Sequence, residues 1–312
     1  MTDQNQEYNE TRATEFILLG FPGSPHVQML IFMVFFIMYI LTVLGNTSII
    51  ILVTTSRRLH SPMYFFLCNL SFLEIWYTTA SVPKILAIFL GRSRTISFNG
   101  CLLQMYFIFS FGCTEHILLA VMAYDRYLAI CYPLHYHTIM DMGLSGKLAG
   151  GAWLGGFLVV IFPSYLITKL SFCGSNVINN FFCNIDNWVI LSCTDTSFLE
   201  KIVFVTAIIV IIGSCVVTLL SYIFIISTII HIPSTEGRKK AFSTCSSHFA
   251  VVIIWYGSTV FLFVKPSKQT ALEVTKIVSI FNLIVVPVMN PFIYTLRNKE
   301  VRDVLRNKFH RV

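Results

Sequence analysis

The stretch QMLIFMVFFIMYILTVLGNTSIIILVTTS, residues 28–56, contains no charged side chain and is followed directly by Arg57 and Arg58. A helix needs about 20 apolar residues to cross the hydrocarbon core of a bilayer, so this stretch is long enough to span it. Hydrophobic residues make up 55% of the 312-residue chain and charged residues 12%, roughly half the charged fraction of a soluble domain. Lipid is therefore the expected solvent for most of the protein surface.

Six further apolar stretches follow along the chain. They cover residues 62–83, 95–124, 148–168, 202–235, 241–264 and 277–296. Within them, Glu74 and Glu115 are the only residues of the Asp, Glu, Lys and Arg types. The sequence therefore predicts an all-α membrane protein with a seven-transmembrane helix bundle over residues 28–296, an N-terminal tail over 1–27 and a C-terminal tail over 297–312.

Basic residues predict the orientation of the bundle. The C-terminal tail carries six lysines and arginines, whereas the N-terminal tail carries Arg12 alone. The more basic side of a membrane protein faces the cytoplasm. We therefore expect a multi-pass plasma-membrane protein with an extracellular N-terminus and a cytoplasmic C-terminus. Asn9 lies in an Asn-x-Thr sequon of the extracellular tail and is the expected glycosylation site.

The C-terminal tail also has the pattern of a short amphipathic helix. Apolar Val301, Val304, Leu305 and Phe309 recur at helical spacing, with basic residues between them. Such a helix lies on a membrane with its apolar face in lipid, so we predict an eighth helix on the inner leaflet. No aromatic residues alternate with the basic ones, which favours lipid contacts over a nucleic-acid surface.

The nine cysteines divide by predicted depth. Cys101 begins the third apolar stretch on the outer side, and Cys173, Cys183 and Cys193 lie in the long outer connection that follows the fourth. Disulfides form in oxidising compartments, so these four cysteines can form two bridges, with three possible pairings. The other five lie within or at the ends of apolar stretches, where free cysteine packs as a small apolar side chain.

The two acidic residues inside the apolar stretches need a physical reason, because a charge at mid-bilayer costs about 2.5–3.5 kcal/mol on insertion scales. Glu74 and Glu115 can face the bundle interior, near Asn46 of the first stretch and Asn290 of the seventh. One interpretation is a switch that responds to a proton or to a cation such as sodium. The other is a pair of neutral, hydrogen-bonded acids that hold helices together.

The triplet Asp125-Arg126-Tyr127 ends the third apolar stretch on the inner side. A helix from Cys101 to Arg126 is about 37 Å long at about 1.5 Å per residue, so one helix carries an outer cysteine and an inner ion pair. The alternative interpretation of Arg126 is an arginine that extends its charge to the membrane interface.

Two prolines, Pro287 and Pro291, interrupt the seventh stretch. Proline in a helix frees a backbone carbonyl and bends the axis. Asn290 can satisfy one freed carbonyl, so we expect a helix that can bend in more than one way.

Motifs of catalysis are missing from the sequence. It has no His-Glu-x-x-His, no Gly-x-Ser-x-Gly and no P-loop, so we expect neither an enzyme nor a cofactor. A transporter or channel driven by Glu74 and Glu115 is the competing class. Transporter folds commonly show a repeat of one half of the chain in the other, and no such repeat is visible.

Several motifs occur in a fixed order along nearly the whole chain. The longest is MAYDRYLAICYPLHY, residues 122–136. The others are Gly45-Asn46, PMYFFL at 62–67, Ser221-Tyr222, KAFSTCSSH at 240–248 and PVMNPFIYTLRN at 287–298. Together they resemble the odorant receptor family of rhodopsin-like G-protein-coupled receptors.

This resemblance implies a receptor that binds a small, mostly apolar volatile ligand in the outer half of the bundle. It also implies that a heterotrimeric G protein of the stimulatory olfactory type is the partner and that cAMP rises. The implied disulfides are Cys101–Cys183 and Cys173–Cys193. The implied activation and G-protein-coupling residues are Asp125, Arg126, Tyr127, Tyr222, Lys240, His248, Asn290, Pro291 and Tyr294.

The resemblance also implies a set of ligand-binding residues. These are Met105, Ile108, Phe109, Gly112, Cys113, Val203, Thr206, Ala207, Val210, Tyr256, Thr259, Val260, Phe263, Ile280 and Leu283. The set is apolar except for three hydrogen-bonding side chains and contains no carboxylate or ammonium group, which argues against a charged ligand. One departure from the family is Glu74, where the family more often has aspartate, and this puts a family-type sodium site in doubt.

Overall fold

Seven helical spans make up the bundle. The computed structural model describes residues 14–173, 175–263, 270–297, 301–304 and 306. Within these residues the α-helices are α1 (Pro25–Thr55), α2 (Pro62–Thr79), α3 (Val82–Phe89), α4 (Phe98–Cys131), α5 (Tyr136–Ile139), α6 (Met142–Ile167), α7 (Ile185–Leu191), α8 (Ser197–Ala207), α9 (Gly213–His231), α10 (Thr235–Phe263), α11 (Thr270–Ile280) and α12 (Val286–Arg297). A 3-10 turn covers Arg57–Leu59, and π-helical turns cover Ile208–Ile212 and Phe281–Val285.

The spans are, in order, α1, α2 with α3, α4, α6, α8 with α9, α10, and α11 with α12. Helix α4 is the centre of the bundle, since most of its apolar length is buried, whereas most of α1 is not. It packs against α2, α6 and α9. Its first turn is capped by Ser97, whose hydroxyl accepts a hydrogen bond from the Gly100 amide at 3.1 Å, satisfying a backbone donor that the helix itself leaves unpaired.

Five helical segments of the described chain are long and apolar enough to cross a membrane. They are Pro25–Thr55, Phe98–Cys131, Met142–Ile167, Ser197–His231 and Val274–Tyr294. The second span is interrupted between α2 and α3. The sixth is uniformly apolar only over His248–Val260. Both nevertheless pack inside the bundle, α2 against α4 and α10 against α12.

The sixth span begins earlier than its apolar stretch predicts. The sequence places it at 241–264, whereas α10 begins at Thr235 and includes Arg238 and Lys239. Long basic side chains can keep their charge in water while their helix continues beyond the lipid. Charged residues therefore mark the end of the apolar part of a span, but the helix itself can continue beyond them.

A three-stranded sheet covers one end of the bundle. Strand β1 (Glu15–Leu18) pairs antiparallel with β2 (Thr95–Ser97) and parallel with β3 (Val177–Ile178). The Ile17 amide donates to the Asn176 carbonyl at 2.9 Å. Part of the predicted N-terminal tail is thus fixed to the bundle. We call this the sheet end, and the opposite end, where Arg126 lies, the Arg126 end.

Both disulfides lie at the sheet end. One joins Cys101 to Cys183 and the other joins Cys173 to Cys193, which are the pairings implied by the family resemblance. The first ties the connection before the fifth span to the start of α4. The second closes a loop that contains both β3 and α7. The two bridges together hold α7 over the bundle.

Residues 301–304 and 306, beyond α12, are helical. Val301 and Val304 are buried and belong to the main hydrophobic core, whereas Arg302 and Asp303 are exposed. This division into an apolar and a charged face is the predicted amphipathic pattern. The expected lipid contact of the apolar face is corrected, since Val301 and Val304 pack into the protein core. Leu305 and Phe309 lie outside the described residues.

Candidate functional site

A cavity of about 340 Å³ lies among the spans toward the sheet end. This volume is at the lower end of the range of ligand pockets, about 300–1,000 Å³. Its walls come from α2, α4, α6, α8, α10 and the segment around α11, and α7 contributes Ile185 and Asp186. Most of the wall is apolar, so the cavity suits a small apolar molecule.

Ten of the fifteen residues in the implied ligand set line this cavity. They are Ile108, Phe109, Gly112, Cys113, Val203, Thr206, Ala207, Val210, Thr259 and Leu283. Those on α4 recur at three- and four-residue intervals, so they share one face of the helix. Val210 lies in a π-helical turn, and Leu283 lies in the other.

Of the remaining five residues of the implied set, four have described side chains and do not line the cavity. Met105 is fully buried in the cluster beneath the sheet, with Cys101 and Cys183. Val260 is 47% exposed on the outer surface of the bundle, where lipid would contact it. Ile280 packs against the main core. The side chain of Phe263 lies outside the described residues.

The fourth residue with a described side chain is Tyr256, which lies beside the cavity rather than in its wall. Trp255 lines the cavity instead, because a helix turns by about 100° per residue. The Tyr256 hydroxyl donates to the His116 carbonyl at 3.4 Å and lies 3.5 Å from the Thr218 hydroxyl. Tyr256 therefore connects α10 to α4 and α9 directly below the cavity.

The sequence did not single out several polar residues of the wall, among them His116, Asp186 and Asn282. His116 follows Gly112 by one helical turn, so helical spacing could have predicted that His116 lies on the same face of α4. Asn282 lies in the π-helical turn, whose altered register no simple periodicity reveals. The expectation of a pocket without a carboxylate was wrong, because Asp186 lies in the cavity wall. The disulfides bring the loop of Asp186 over the bundle, and sequence spacing does not reveal this placement.

The polar groups of the bundle core form contacts between spans. The Asn290 side-chain amide donates to Glu74 Oε1, which joins α12 to α2. Both carboxyl oxygens of Glu115 are buried and have no partner among the described residues. Glu74 thus joins two helices, as the second interpretation requires, whereas Glu115 makes no such bond within the described residues.

Asn46 takes the role that the sequence assigned to Asn290. Its side-chain amide donates to the Thr42 carbonyl at 3.0 Å and to the Pro287 carbonyl at 3.4 Å. Pro291 has no amide hydrogen, so the carbonyl four residues before it loses its helical partner. Asn46 supplies that missing donor from α1, while Asn290 turns toward α2.

Arg126 lies inside the bundle rather than at its surface. The side chain is 7% exposed and forms an ion pair with Asp125, so the interpretation as an interfacial arginine does not hold. The Tyr136 hydroxyl donates to Asp125 Oδ1 at 2.7 Å. Burial and the neighbouring Asp125 carboxylate raise the pKa of Tyr136, which keeps its hydroxyl protonated. The α5 connection is thereby attached to the Asp125–Arg126 pair.

The other implied activation residues lie around the Arg126 end. The Tyr222 hydroxyl and His248 Nδ1 are 2.7 Å apart and link α9 to α10. The Tyr294 hydroxyl is buried without a partner in the described part of the chain. The Tyr127 ring packs against Phe224, with 5.7 Å between centroids. The side chain of Lys240 and the glycosylation candidate Asn9 lie outside the described residues.

Comparison with known proteins agrees with this architecture. The family model described as "Olfactory receptor" matches residues 35–311. Olfactory receptor 6F1 of Homo sapiens is 62% identical over 301 residues, which covers 96% of this chain and 98% of that protein. Olfactory receptor 287 of Rattus norvegicus is 60% identical, with 93% and 94% covered.

The crystal structure of squid rhodopsin superimposes with a TM-score of 0.71 at 16% identity, covering 93% of this chain and 87% of that one. This likeness confirms the predicted seven-transmembrane fold. Receptors of this family are not enzymes and are multi-pass membrane proteins. The family match and the high identity over almost the entire length show that the chain belongs to the olfactory receptor family of G-protein-coupled receptors.

Proposed function

We propose that the chain is an odorant receptor of the plasma membrane that binds a small, mostly apolar volatile molecule in the 340 Å³ cavity. Binding activates a stimulatory olfactory-type G protein and raises cAMP. The observation that carries this proposal is the continuity of α4. His116 in the cavity wall and Arg126 at the opposite end lie ten residues apart on this helix, about 15 Å at about 1.5 Å per residue.

The sheet end faces the outside of the cell in this proposal. Disulfides persist in oxidising compartments, and both lie at the sheet end. Arg57, Arg58, Arg238 and Lys239 belong to connections and helix ends on the opposite side, where the positive-inside rule places the cytoplasm. Asn9 then has access to the glycosylation machinery.

Ligand and G protein act on one two-state bundle. The cavity wall includes Trp255 of α10, and Tyr256 bonds to the His116 carbonyl, so a ligand that contacts α4 also biases α10. Movement of the Arg126 end of α10 would break the Tyr222–His248 contact and open a cleft beside Arg126 for the C-terminal helix of the G protein. Linkage then requires that each partner tightens binding of the other.

A cell assay with and without the olfactory G protein tests this function. A broad screen of volatile molecules is applied to cells that display the full-length receptor, and cAMP is recorded. We expect a ligand-evoked rise that requires both receptor and G protein. Ion flux that persists without the G protein would instead favour a transporter or channel built on Glu74 and Glu115.

Filling the cavity should greatly reduce the potency of the ligand without unfolding the protein. Gly112 lines the cavity, and a Cβ added there meets no atom within 4 Å. We expect Gly112→Leu to raise the half-maximal ligand concentration by about a hundredfold, since the added side chain occupies ligand volume. The matched control is Gly150→Leu, at an exposed glycine of α6 that also has open space. Equal potency of the two variants at equal surface expression would show that the ligand binds elsewhere.

A further inference from the structure

Two polar side chains of the cavity wall each have an atom without a hydrogen-bond partner among the described residues. They are His116, through Nε2, and Asn282, through Oδ1, and both residues are 6% exposed. His116 is the cavity-lining residue of α4 farthest from the sheet end, eight residues after Ile108, which places it about 12 Å deeper along the helix. A ligand that enters from the sheet end therefore reaches His116 after the other α4 residues of the wall.

Geometry assigns the proton of the His116 ring. Its Nδ1 lies 2.8 Å from the Gly112 carbonyl oxygen, and a carbonyl oxygen can only accept. Nδ1 therefore carries the hydrogen, and in a neutral imidazole the other nitrogen, Nε2, is an acceptor. The Trp255 indole nitrogen lies 3.3 Å from the same Nδ1. The indole N–H can donate to Nδ1 only in the other tautomer. That tautomer would place the Nδ1 lone pair against the Gly112 carbonyl oxygen at 2.8 Å, so the shorter contact decides the assignment.

Asn282 presents a second acceptor in the wall of the same cavity. Its Oδ1 has two lone pairs and no donor within the described residues. The π-helical turn Phe281–Val285 places Asn282 and Leu283 together in the cavity wall. A buried acceptor without a donor is unfavourable, and a ligand that supplies the donor removes this cost. The cavity therefore favours a ligand with an O–H over one that can only accept.

We propose that the ligand of this receptor is an alcohol or a phenol whose hydroxyl donates a hydrogen bond to Nε2 of His116, with Oδ1 of Asn282 as a second acceptor in the wall of the same cavity. The proposal rests on the function proposed above and narrows its ligand class. Aldehydes, ketones, esters and ethers of the same skeleton have no such donor. The apolar remainder of the wall binds the hydrocarbon part of the molecule.

Matched sets of volatiles test the ligand class on the full-length receptor. One set is n-octanol, octanal and methyl octyl ether, and another is benzyl alcohol, benzaldehyde and benzyl methyl ether, with terpene sets added in the same way. Within the most active set we expect the alcohol to be at least about tenfold more potent in the cAMP assay, because a site built for a hydroxyl rejects analogues without one. An aldehyde or ether as potent as its alcohol would overturn the proposal.

Variants of His116 test whether this side chain causes the preference for an alcohol over its aldehyde. His116→Phe keeps a ring against Trp255 but has no acceptor, so the alcohol should fall to the potency of its aldehyde while the aldehyde changes less than about threefold. His116→Gln retains a side-chain oxygen acceptor and should keep part of the preference for the alcohol. His26→Phe, at an exposed histidine of α1, is the matched control. An alcohol preference that survives in His116→Phe at normal surface expression would exclude His116 as the acceptor.

The same screen separates this inference from the underlying function. If a carbonyl compound raises cAMP through the G protein while every alcohol is silent, the receptor function stands and the ligand class fails. If no volatile raises cAMP in cells that display the receptor, both fail. Thermal stabilisation of the purified receptor by the alcohol, and not by its ether, gives a readout of binding that needs no G protein.

Discussion

Arg126→Ala reduces ligand-evoked cAMP to the level of cells without receptor, while the protein still reaches the cell surface. Arg126 is buried and paired with Asp125, to which Tyr136 also donates. In the proposed active state α10 moves away and the guanidinium becomes part of the G-protein contact. Alanine removes that charge and its five donors without touching the cavity. Ligand binding, measured by thermal stabilisation, should therefore persist in the variant.

Removal of one member of a buried pair also leaves the other charge uncompensated, at a cost of about 3–5 kcal/mol. The double variant Asp125→Asn with Arg126→Ala avoids this cost, so its surface expression should equal or exceed that of Arg126→Ala while signalling stays absent. Arg92→Ala, at an exposed arginine of the sheet end, is the matched control and should signal normally. Wild-type signalling by a well-expressed Arg126→Ala receptor would refute the switch assignment.

The spans and the central acids of this receptor could be predicted because lipid imposes a simple rule on the sequence. Seven apolar stretches predicted seven spans. Glu74 was identified as an acidic residue inside one of them that needs a polar partner. The identity of that partner depended on tertiary packing. Asn290 bonds to Glu74, and Asn46 bonds to the Pro287 carbonyl, an exchange of roles between neighbouring amides that no spacing reveals.

The cavity was predictable only in part for a similar reason. Its α4 wall follows helical periodicity, so Ile108, Phe109 and Gly112 lie together as expected, and the same rule extended by one turn would have added His116. Helix α7 is held over the bundle by the disulfides, and the short strands of the sheet are held by pairing between distant segments. Such contacts do not repeat along the chain, and segments of two to seven residues are too short for a periodic signal.

Gly156→Ala disrupts the contact between α4 and α6, and we expect it to destabilise the receptor by about 3 kcal/mol or more, at the upper end of overpacking effects. A Cβ at this position would lie 2.1 Å from the Thr114 hydroxyl oxygen, 2.7 Å from the Thr114 amide nitrogen and 2.8 Å from its Cα. A hydroxyl can rotate away, but backbone atoms of a buried helix cannot. The two helices must therefore separate.

Separation of α6 from α4 would disturb both the cavity and the Arg126 end, because α4 contributes to the cavity wall and carries Arg126. We expect most of the surface expression to be lost and the thermal midpoint in detergent to fall. Gly151→Ala is the matched control on the same helix, exposed and with no atom within 4 Å of an added Cβ. It should be neutral or stabilising by up to about 1 kcal/mol, as alanine is in helices.

Thr114→Ala tests whether the backbone of Thr114, rather than its hydroxyl, causes the destabilisation. Combined with Gly156→Ala, it removes only the hydroxyl contact and should not restore stability, whereas full restoration would show that the side chain alone sets the distance between these helices.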